Sequence, residues 1–367
     1  MNIPQGYKQT ELGIIPEDWE VKPIGECLSI GNGCDYKDKP FGNIPVYGTG
    51  GVITYINDYL YDGQTICIGR KGTINKPLYY EGKIWTVDTL YYTYNFIDVD
   101  VKYIYYLLLT IDWMSLNEAT GVPSLTSDRI RHILLALPPV AEQRAIAEAL
   151  SDIDGLIATL DKKIAKKLLI KQGAMQQLLT GKKRLPGFSD PWVEKKLGEI
   201  LDYEQPQPYL VVSTDYVDSG FPVLTAGKSL ILGYTTEQFG IYNKLPVIIF
   251  DDFTTDSKYI SYPFKVKSSA MKMLTLKNND YDLRLVYELM QQIDFPLKDH
   301  QRYWISEYSQ LTISLPKDRE EQTAIAEILT DMDKEIDDLE AQRDKYHLLK
   351  SGMMQKLLTG QIRLKIK

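Results

Sequence analysis

The sequence is poor in cysteine and histidine and has no long apolar run. Its 367 residues include three cysteines (Cys27, Cys34 and Cys67) without CxxC spacing and three scattered histidines. Neither a disulfide framework nor a zinc or other metal site is therefore expected. No segment approaches the roughly 18–20 apolar residues that cross a bilayer. The first residues also lack the basic start and apolar core of a signal peptide. These absences predict a soluble, cytoplasmic protein without a metal or a membrane span.

Motifs for catalysis are also missing. GTGG at 48–51 and GNG at 31–33 have neither the lysine-hydroxyl ending of a P-loop nor a full GxGxxG pattern. Asp251 and Asp252 lie too close to DSK at 256–258 for a nuclease D…DxK triad. No NPPY-like tetrapeptide of a DNA methyltransferase occurs. We therefore expect no catalytic residue in this chain.

What the sequence does contain is a long internal repeat. EQRAIAEAL at 142–150 returns as EQTAIAEIL at 321–329. An ungapped alignment of 142–185 with 321–364 gives 23 identities in 44 positions. Both copies end alike, in LLTGKKRL and LLTGQIRL. This agreement indicates an internal duplication.

Each copy has the apolar spacing of a coiled-coil helix. Apolar residues recur at alternating steps of four and three, which places them along one seam. Prolines precede both copies, and Gly181 and Gly360 lie near their ends, as is typical of helix starts and stops. The seam residues are Ile146, Leu150, Ile153, Ile157, Leu160 and Ile164 in the first copy, and Ile325, Leu329, Met332, Ile336 and Leu339 in the second.

The charges of the two predicted helices oppose each other when the helices run antiparallel. Residues 161–184 have a net charge of +7, and residues 317–344 have a net charge of −7. The other halves, 139–160 and 345–367, carry −3 and +6. Parallel pairing would put like charges together, so the sequence favours an antiparallel pair. The acidic stretch 317–344 alone equals the net charge of the whole chain, −7.

The duplication includes the globular regions, but there the copies have diverged. EDWEVKPIGEC (17–27) resembles DPWVEKKLGEI (190–200), whereas GRKGTIN (69–75) lies opposite DDFTTDS (251–257). Short apolar runs rich in Tyr, Val, Ile and Thr predict the strands of a mixed sheet. One helix is predicted in each region, at Val101–Leu109 and Leu283–Gln292. A common scaffold therefore presents two different surfaces.

The predicted fold class is α+β, with a pseudo-twofold internal repeat. Two globular mixed α/β domains are separated by two long helices that form an antiparallel coiled coil. The predicted boundaries are a first globular domain at 1–138, a first helix at 139–183, a second globular domain at 184–315 and a second helix at 316–367.

This arrangement resembles the specificity subunit of type I restriction-modification systems over essentially the whole chain. The resemblance is strongest in LPPVAEQRAIAEALSDID (137–154) and LPKDREEQTAIAEILTDMD (315–333). GTGGVITYI (48–56) and ATGVPSLTSDRIRHILLALP (119–138) add to it. The resemblance implies that the globular domains are target recognition domains, each reading one half of a bipartite DNA site. It implies that the helices set the gap between the half-sites.

The resemblance also implies partners and a division of chemistry. Two DNA adenine methyltransferase subunits would bind this chain and double-stranded DNA, and S-adenosylmethionine would be bound by the methyltransferase. Two restriction subunits, which use ATP and Mg²⁺, join the complex in systems that also cleave DNA. No cofactor is expected on this chain. Glu142, Gln143, Glu321 and Gln322, at matching positions of the repeat, are the candidates for methyltransferase docking.

Candidate base readers are basic and small polar residues on the predicted loops. Such side chains can donate or accept hydrogen bonds at base edges. Acidic Asp251 and Asp252 could accept only from cytosine N4. The candidates are Tyr47, Thr49, Arg70, Lys71, Thr73, Asn75, Lys76, Ser124 and Thr126 in the first domain, and Thr225, Lys228, Thr254, Thr255, Lys258, Gln301, Arg302 and Tyr303 in the second.

Other functions remain open at the level of sequence. The chain could serve another methyltransferase or defence assembly, or bind DNA by itself. A purely structural coiled-coil protein would explain the helices but not the two unlike globular domains.

Overall fold

The computed structural model describes residues 3–225, 229–297 and 302–364. It divides into two compact units. The first comprises Met1–Asp161 and Ala341–Lys367, and the second comprises Lys162–Glu340. Each unit therefore contains one globular region together with parts of both copies of the repeat.

A mixed sheet forms the globular region of the first unit. Its strands run in the order β4-β9-β7-β8-β5-β6 among the described residues, and β5 pairs with β8 in parallel while the other neighbours are antiparallel. Two antiparallel pairs lie outside this sheet: the hairpin β1-β2 and the pair β3-β10, whose strands come from opposite ends of the globular region. The strands are β1 (Tyr7–Thr10), β2 (Gly13–Pro16), β3 (Glu20–Pro23), β4 (Ser29–Asn32), β5 (Phe41–Gly48), β6 (Gly51–Ile56), β7 (Tyr61–Gly69), β8 (Leu78–Thr86), β9 (Leu90–Tyr94) and β10 (Leu134–Leu137).

The short helix of the first globular region is anchored by its N-terminus and its apolar face. The carboxylate of Asp100 accepts a hydrogen bond from the Tyr103 amide at 2.9 Å, which satisfies a free N–H group of the first turn. Tyr103, Ile104 and Leu108 are fully buried in the core. The helices that begin in this unit are α1 (Ile24–Cys27), α2 (Val101–Leu108), α3 (Ser127–Arg131) and α4 (Val140–Leu178).

The second unit repeats this plan with its strands divided differently. Its described strands form sheets in the orders β12-β18-β15-β16 and β14-β13-β17, and β11 pairs with β19. The pairing of β13 with β17 is parallel. The strands are β11 (Val193–Lys196), β12 (Leu201–Glu204), β13 (Phe221–Leu224), β14 (Ile231–Thr235), β15 (Val247–Asp251), β16 (Ser257–Ile260), β17 (Lys265–Val266), β18 (Met271–Leu276) and β19 (Thr312–Leu315).

The helices of the second unit are α5 (Leu197–Ile200), α6 (Leu283–Met290) and α7 (Arg319–Leu357). The Asp282 carboxylate accepts from the Leu285 amide at 3.0 Å, as Asp100 does at the start of α2. The apolar face of α6 packs on an aromatic cluster in which the Phe250 ring lies 4.8 Å from the Tyr308 ring. The mixed-sheet domains are confirmed, and the predicted helices are present as α2 and α6. The expectation of one helix in each region was wrong, because the shorter helices α1, α3 and α5 are present as well. The duplication extends to the capping of α2 and α6.

The two long helices follow the spacing of the repeat. Helices α4 and α7 have 39 residues each, which corresponds to about 58 Å at 1.5 Å per residue. Every predicted seam residue is buried except Met332, which is half-buried. In each unit the first two seam residues, Ile146 and Leu150 or Ile325 and Leu329, join the core of the globular region, so the start of each long helix shares an apolar interior with the sheet.

Within each unit the helices pair in antiparallel orientation, as their charges predict. In the first unit Asp154 contacts Lys350 at 2.6 Å, and Asp161 contacts Arg343 at 3.8 Å. In the second unit Lys167 contacts Glu335 at 2.6 Å, and Lys171 pairs with Asp333. In both units the residue number rises along one helix as it falls along the other.

The four domain boundaries expected from the sequence stay predictions, because the compact units divide the chain within the helices. No helix among the residues that the structure describes is both long and apolar enough to cross a membrane.

Candidate nucleic-acid interface

The first group of candidate base readers lies on the loop after β7. Backbone hydrogen bonds hold this loop in place: the Arg70 amide donates to the Thr89 carbonyl at 2.8 Å, and the Leu125 amide donates to the Arg70 carbonyl at 2.9 Å. Lys71 forms an antiparallel bridge with Ser124. The segments around Arg70, Thr89 and Ser124 are thus joined at the end of β7.

Gly72 brings a further segment to this loop. Its φ of +95° lies in the region that favours glycine. Its amide donates to the Pro123 carbonyl at 2.9 Å. A Cβ at Gly72 would lie 3.3 Å from the Thr49 hydroxyl. Thr49, Lys71 and Ser124, three of the predicted readers, are therefore neighbours.

The Arg70 side chain is exposed beside this cluster. One of its terminal nitrogens donates to the Asp88 carbonyl at 3.4 Å, and its guanidinium carbon lies 5.9 Å from the centre of the Tyr91 ring. A guanidinium has five N–H donors. One long contact to a carbonyl therefore leaves donors that can reach a base edge.

The other candidates of the first domain differ in exposure. Thr126 caps α3 by accepting from the Arg129 amide at 3.3 Å, and the Tyr47 ring packs edge-on against Tyr80 at 5.5 Å. Thr126 and Tyr47 thus contribute to the fold as well. Exposed candidates are Arg70, Lys71, Asn75, Lys76 and Thr126, and half-buried ones are Tyr47, Thr49, Thr73 and Ser124.

In the second unit the loop after β15 is shaped by a carboxylate. Asp251 is buried, and its Oδ1 accepts from the Phe253 amide at 2.7 Å and from the Thr254 amide at 2.9 Å. Thr255 has a φ of +59°, and its amide donates to the Asp251 carbonyl at 3.0 Å. The acid therefore closes a tight turn and does not face a base.

The neighbouring carboxylate, that of Asp252, anchors the same loop to the interior of the fold. Asp252 forms an ion pair with Lys272 at 3.0 Å, and both side chains are only 2% exposed. Its other oxygen accepts from the Trp304 amide at 2.9 Å. Cytosine is thus no partner for Asp252 in this structure, because both of its oxygens have partners inside the fold.

The two loops share one backbone framework. The Asp252 amide donates to the Ala270 carbonyl at 3.0 Å, as Arg70 does to Thr89. The Tyr303 amide donates to the Asp252 carbonyl at 3.0 Å, as Leu125 does to Arg70. Arg70 and Asp252 therefore occupy equivalent positions. It follows that Lys71 corresponds to Phe253 at the loop tips.

Several candidates of the second domain gather around this loop. Thr225 and Lys258 line one small recess with Asp256, and Arg302 lies over the Phe253 ring at 5.8 Å. Tyr303, by contrast, is fully buried in the aromatic cluster, so it has no surface to offer DNA in this structure. Lys228 and Gln301 lie outside the described residues. The exposed candidates are Thr254, Lys258 and Arg302, and the half-buried ones are Thr225 and Thr255.

Phe253 belongs to this surface and was missed by the sequence reasoning. Its side chain is 45% exposed at the loop tip, between Asp252 and Thr254. Polar groups alone were predicted as base readers, because they form hydrogen bonds with base edges. The signal that could have found it is the alignment of GRKGTIN with DDFTTDS, which places Phe253 opposite Lys71.

Both globular regions match a single known family. The model of the "Type I restriction modification DNA specificity domain" matches residues 16–169 and again residues 189–346. The chain belongs to this family. Each specificity domain thus includes one globular region and most of the long helix that follows it.

Known relatives agree with this assignment. The specificity subunit of the Escherichia coli enzymes EcoR124I and EcoR124II is 49% identical over 148 residues, which cover 39% of this chain and 36% of that relative. The chain thus matches about a third of that relative's length. The MjaVIII specificity subunit of Methanocaldococcus jannaschii is 24% identical and covers 98% of this chain and 97% of its own length. The crystal structure of an M. genitalium S subunit shares the fold, with a TM-score of 0.75 at 15% identity over 97% of this chain and 98% of that chain.

The four helix-start candidates for docking lie inside the specificity domains. Glu142 receives two hydrogen bonds of 2.6 Å from Arg363, and Glu321 receives hydrogen bonds of 2.7 and 2.6 Å from Arg184. Each glutamate side chain is 1% exposed. Their carboxylates are therefore enclosed and paired, and direct contact with a partner is not open to them in this structure.

The adjacent glutamines have a matching internal role. Gln143 accepts from the Asp100 amide at 2.9 Å and donates to the Pro138 carbonyl at 2.8 Å. Gln322 accepts from the Asp282 amide at 2.9 Å and donates to the Pro316 carbonyl at 2.9 Å. Each glutamine thus joins the start of a long helix to the capping residue of a short one, and it is buried there.

Proposed function

We propose that this chain is the non-catalytic DNA-recognition subunit of a type I restriction-modification complex, and that each specificity domain reads one half of a bipartite, asymmetric DNA site. The observation that carries the proposal is one loop framework with two different tips. Equivalent backbone bonds hold Arg70 and Asp252, but Lys71 and Ser124 stand where the other domain has Phe253 and Arg302. A shared framework with unlike side chains suits the reading of two unlike half-sites.

The acidity of the chain is compatible with DNA binding, because its charge is unevenly distributed. The net −7 of the chain equals that of residues 317–344 alone, where acids pair with lysines of α4. The loop tips instead expose Arg70, Lys71, Lys76, Lys258 and Arg302. Basic side chains near phosphates supply affinity, and partner subunits would add to it.

In this proposal the chemistry belongs to the partners. Methylation of a base in duplex DNA requires that the base leaves the stack. The methyltransferase subunit would do this and bind S-adenosylmethionine, while a restriction subunit would bind ATP and Mg²⁺. The residues of this chain fix the register of the complex on the DNA, and the long helices set the gap between the half-sites.

The test is a map of methylated adenines in a host that lacks other DNA methylation. The chain is expressed with its methyltransferase subunit, and modified sites are read by long-read sequencing. We expect one bipartite motif with two unlike halves and a constant gap. Replacing residues 201–314 with the matching segment of another member of the family should change one half and leave the other half and the gap intact. A motif without a gap, or a swap that alters both halves, would contradict the proposal.

The docking surface that we propose for the methyltransferase is apolar and occurs twice. Leu169 and Ile170 of α4 are 69% and 46% exposed, and Leu348 and Leu349, at the matching positions of α7, are 76% and 48% exposed. Exposed adjacent apolar residues at a duplicated position suit two copies of one partner. In this proposal these four apolar residues contact the methyltransferase, and the enclosed Glu142 and Glu321 do not.

Docking at this surface predicts a change in stoichiometry. Leu348→Lys should lower the number of bound methyltransferase subunits from two to one, and combining it with Leu169→Lys should remove both, because a buried, unpaired ammonium opposes the contact. Native mass spectrometry of the complex gives the count. Leu232→Lys is the control. Leu232 is an apolar residue of β14 that is 43% exposed, and this variant should still bind two methyltransferase subunits. Two subunits retained by the double variant would place docking on another surface.

A further inference from the structure

The tip of the loop after β15 combines an exposed aromatic ring with an exposed guanidinium. Phe253 is 45% exposed, and the Arg302 guanidinium carbon lies 5.8 Å from the centre of its ring. Arg302 is exposed as well. Exposure of an apolar ring to water is unfavourable in free energy, and contact with another apolar group removes that penalty. The ring therefore offers an apolar contact beside a charged hydrogen-bond donor.

Several contacts within the fold hold this tip in place. Asp251 caps the turn through the Phe253 and Thr254 amides. The buried pair of Asp252 and Lys272 fixes the base of the loop, and the Tyr303 amide ties the loop to the segment that carries Arg302. A preorganised loop loses little conformational entropy on binding, so its contacts contribute more to affinity. The loop therefore presents Phe253 and Arg302 as a preorganised contact surface.

The ring and the guanidinium together limit how Phe253 could meet DNA. A side chain that wedges between base pairs needs both faces of its ring for stacking, and Arg302 lies over one face of this ring. What remains is the edge and the opposite face. In the major groove the apolar group displayed by a base pair is the C5-methyl group of thymine, and phenylalanine is among the side chains that contact it.

We propose that Phe253 holds the C5-methyl group of one thymine in the half-site that the second specificity domain reads. The inference rests on the proposed function and extends it to a specificity-determining residue. Arg302 stands beside the ring, where it can donate to the neighbouring base pair. The first domain has Lys71 at the equivalent tip, so we expect no such methyl contact in its half-site.

The experiment replaces single thymines of the mapped half-site with uracil, which lacks only the methyl group. Binding of the complex with its methyltransferase is measured by fluorescence anisotropy. In the unsubstituted protein, uracil at one position should weaken binding about fourfold, the effect of removing one methyl group from an apolar contact. Phe253→Ala should weaken binding of the thymine duplex by a similar factor and bind both duplexes equally. Phe253→Leu should retain part of the difference.

Controls separate a contact from a change in fold. Phe41→Ala removes a ring that is 82% exposed in the other specificity domain and should leave the thymine–uracil difference intact. An unchanged thymine–uracil ratio in Phe253→Ala, or a half-site without a methyl-sensitive thymine, would overturn the inference while leaving the bipartite motif standing. Absence of a bipartite motif for the unsubstituted protein would remove the proposed function, and this inference with it.

Discussion

Arg363→Met is expected to lower the free energy of unfolding of the first unit by about 3 kcal/mol, near the lower end of what breaking a buried pair costs. The Arg363 guanidinium makes paired hydrogen bonds to Glu142 and also to Asp18, at 2.9 and 2.8 Å. Methionine keeps the aliphatic stem but leaves the enclosed Glu142 carboxylate without its cation. The Glu142 side chain is 1% exposed, so water cannot readily replace the lost guanidinium. Urea denaturation followed by circular dichroism measures the loss.

Two comparisons test this explanation. Glu142→Gln in the Arg363→Met background should recover most of the lost stability, since it removes the stranded charge. Lys22→Met breaks an ion pair with Glu20 whose side chains are 40% and 65% exposed, and it should change stability by less than about 1 kcal/mol. If Arg363→Met lost no more than Lys22→Met, the enclosed pair would have no special part in holding the unit together.

Asp252→Asn is expected to cost about 3–5 kcal/mol in the second unit, because it leaves the ammonium of Lys272 buried without a counter-charge. The pair is 3.0 Å long, and both side chains are 2% exposed. Asparagine can still accept from the Trp304 amide, so the change isolates the charge. We also expect methylation to become less dependent on the sequence of the second half-site while its dependence on the first half-site is unchanged. The reason is that the Asp252–Lys272 pair anchors the loop of the second specificity domain. Thermal unfolding and the methylation map give the two measurements.

The equivalent position in the first unit supplies the control. Arg70 is exposed where Asp252 is buried, so Arg70→Ala should change stability by less than about 0.5 kcal/mol while weakening recognition of the first half-site. Adding Lys272→Met to Asp252→Asn should restore much of the lost stability. A double variant as unstable as Asp252→Asn would mean that shape, and not the stranded charge, decides the effect.

The long helices could be predicted from the sequence because local patterns determine them. The steps of four and three from Ile146 to Ile164 fix which face is buried, and the opposed charges fix the orientation. Both features survive in the structure, down to single pairs such as Asp154 with Lys350. The duplication also supports the prediction, because the same helix pattern occurs twice in the sequence.

The loops that carry the candidate base readers were harder to predict, because their geometry comes from long-range contacts. Asp252 is next to exposed Phe253 in sequence, yet it is buried by Lys272, twenty positions further along. Tyr303 and Arg302 are adjacent, but one lies in the core and the other at the surface. Glu142 looked like an exposed acid at a helix start, and its partner Arg363 is 221 positions away. No local pattern shows such partners.

Those distant partners also constrain how the sequence can change. Arg184 of the first copy pairs with Glu321 of the second, and Arg363 of the second pairs with Glu142 of the first. Every such bond therefore joins unlike members of the two copies, as in a dimer whose subunits have been fused. A substitution at one of these four positions strands its partner in the other copy, so the two members of each pair are constrained together.

The loop tips differ from these pairs in being exposed. Lys71 and Phe253 stand at equivalent positions with unlike side chains, as two unlike half-sites would require under the proposed function. The crossed bonds thus join the parts of the two copies that are most alike, the starts and ends of the repeat, whereas the loop tips differ.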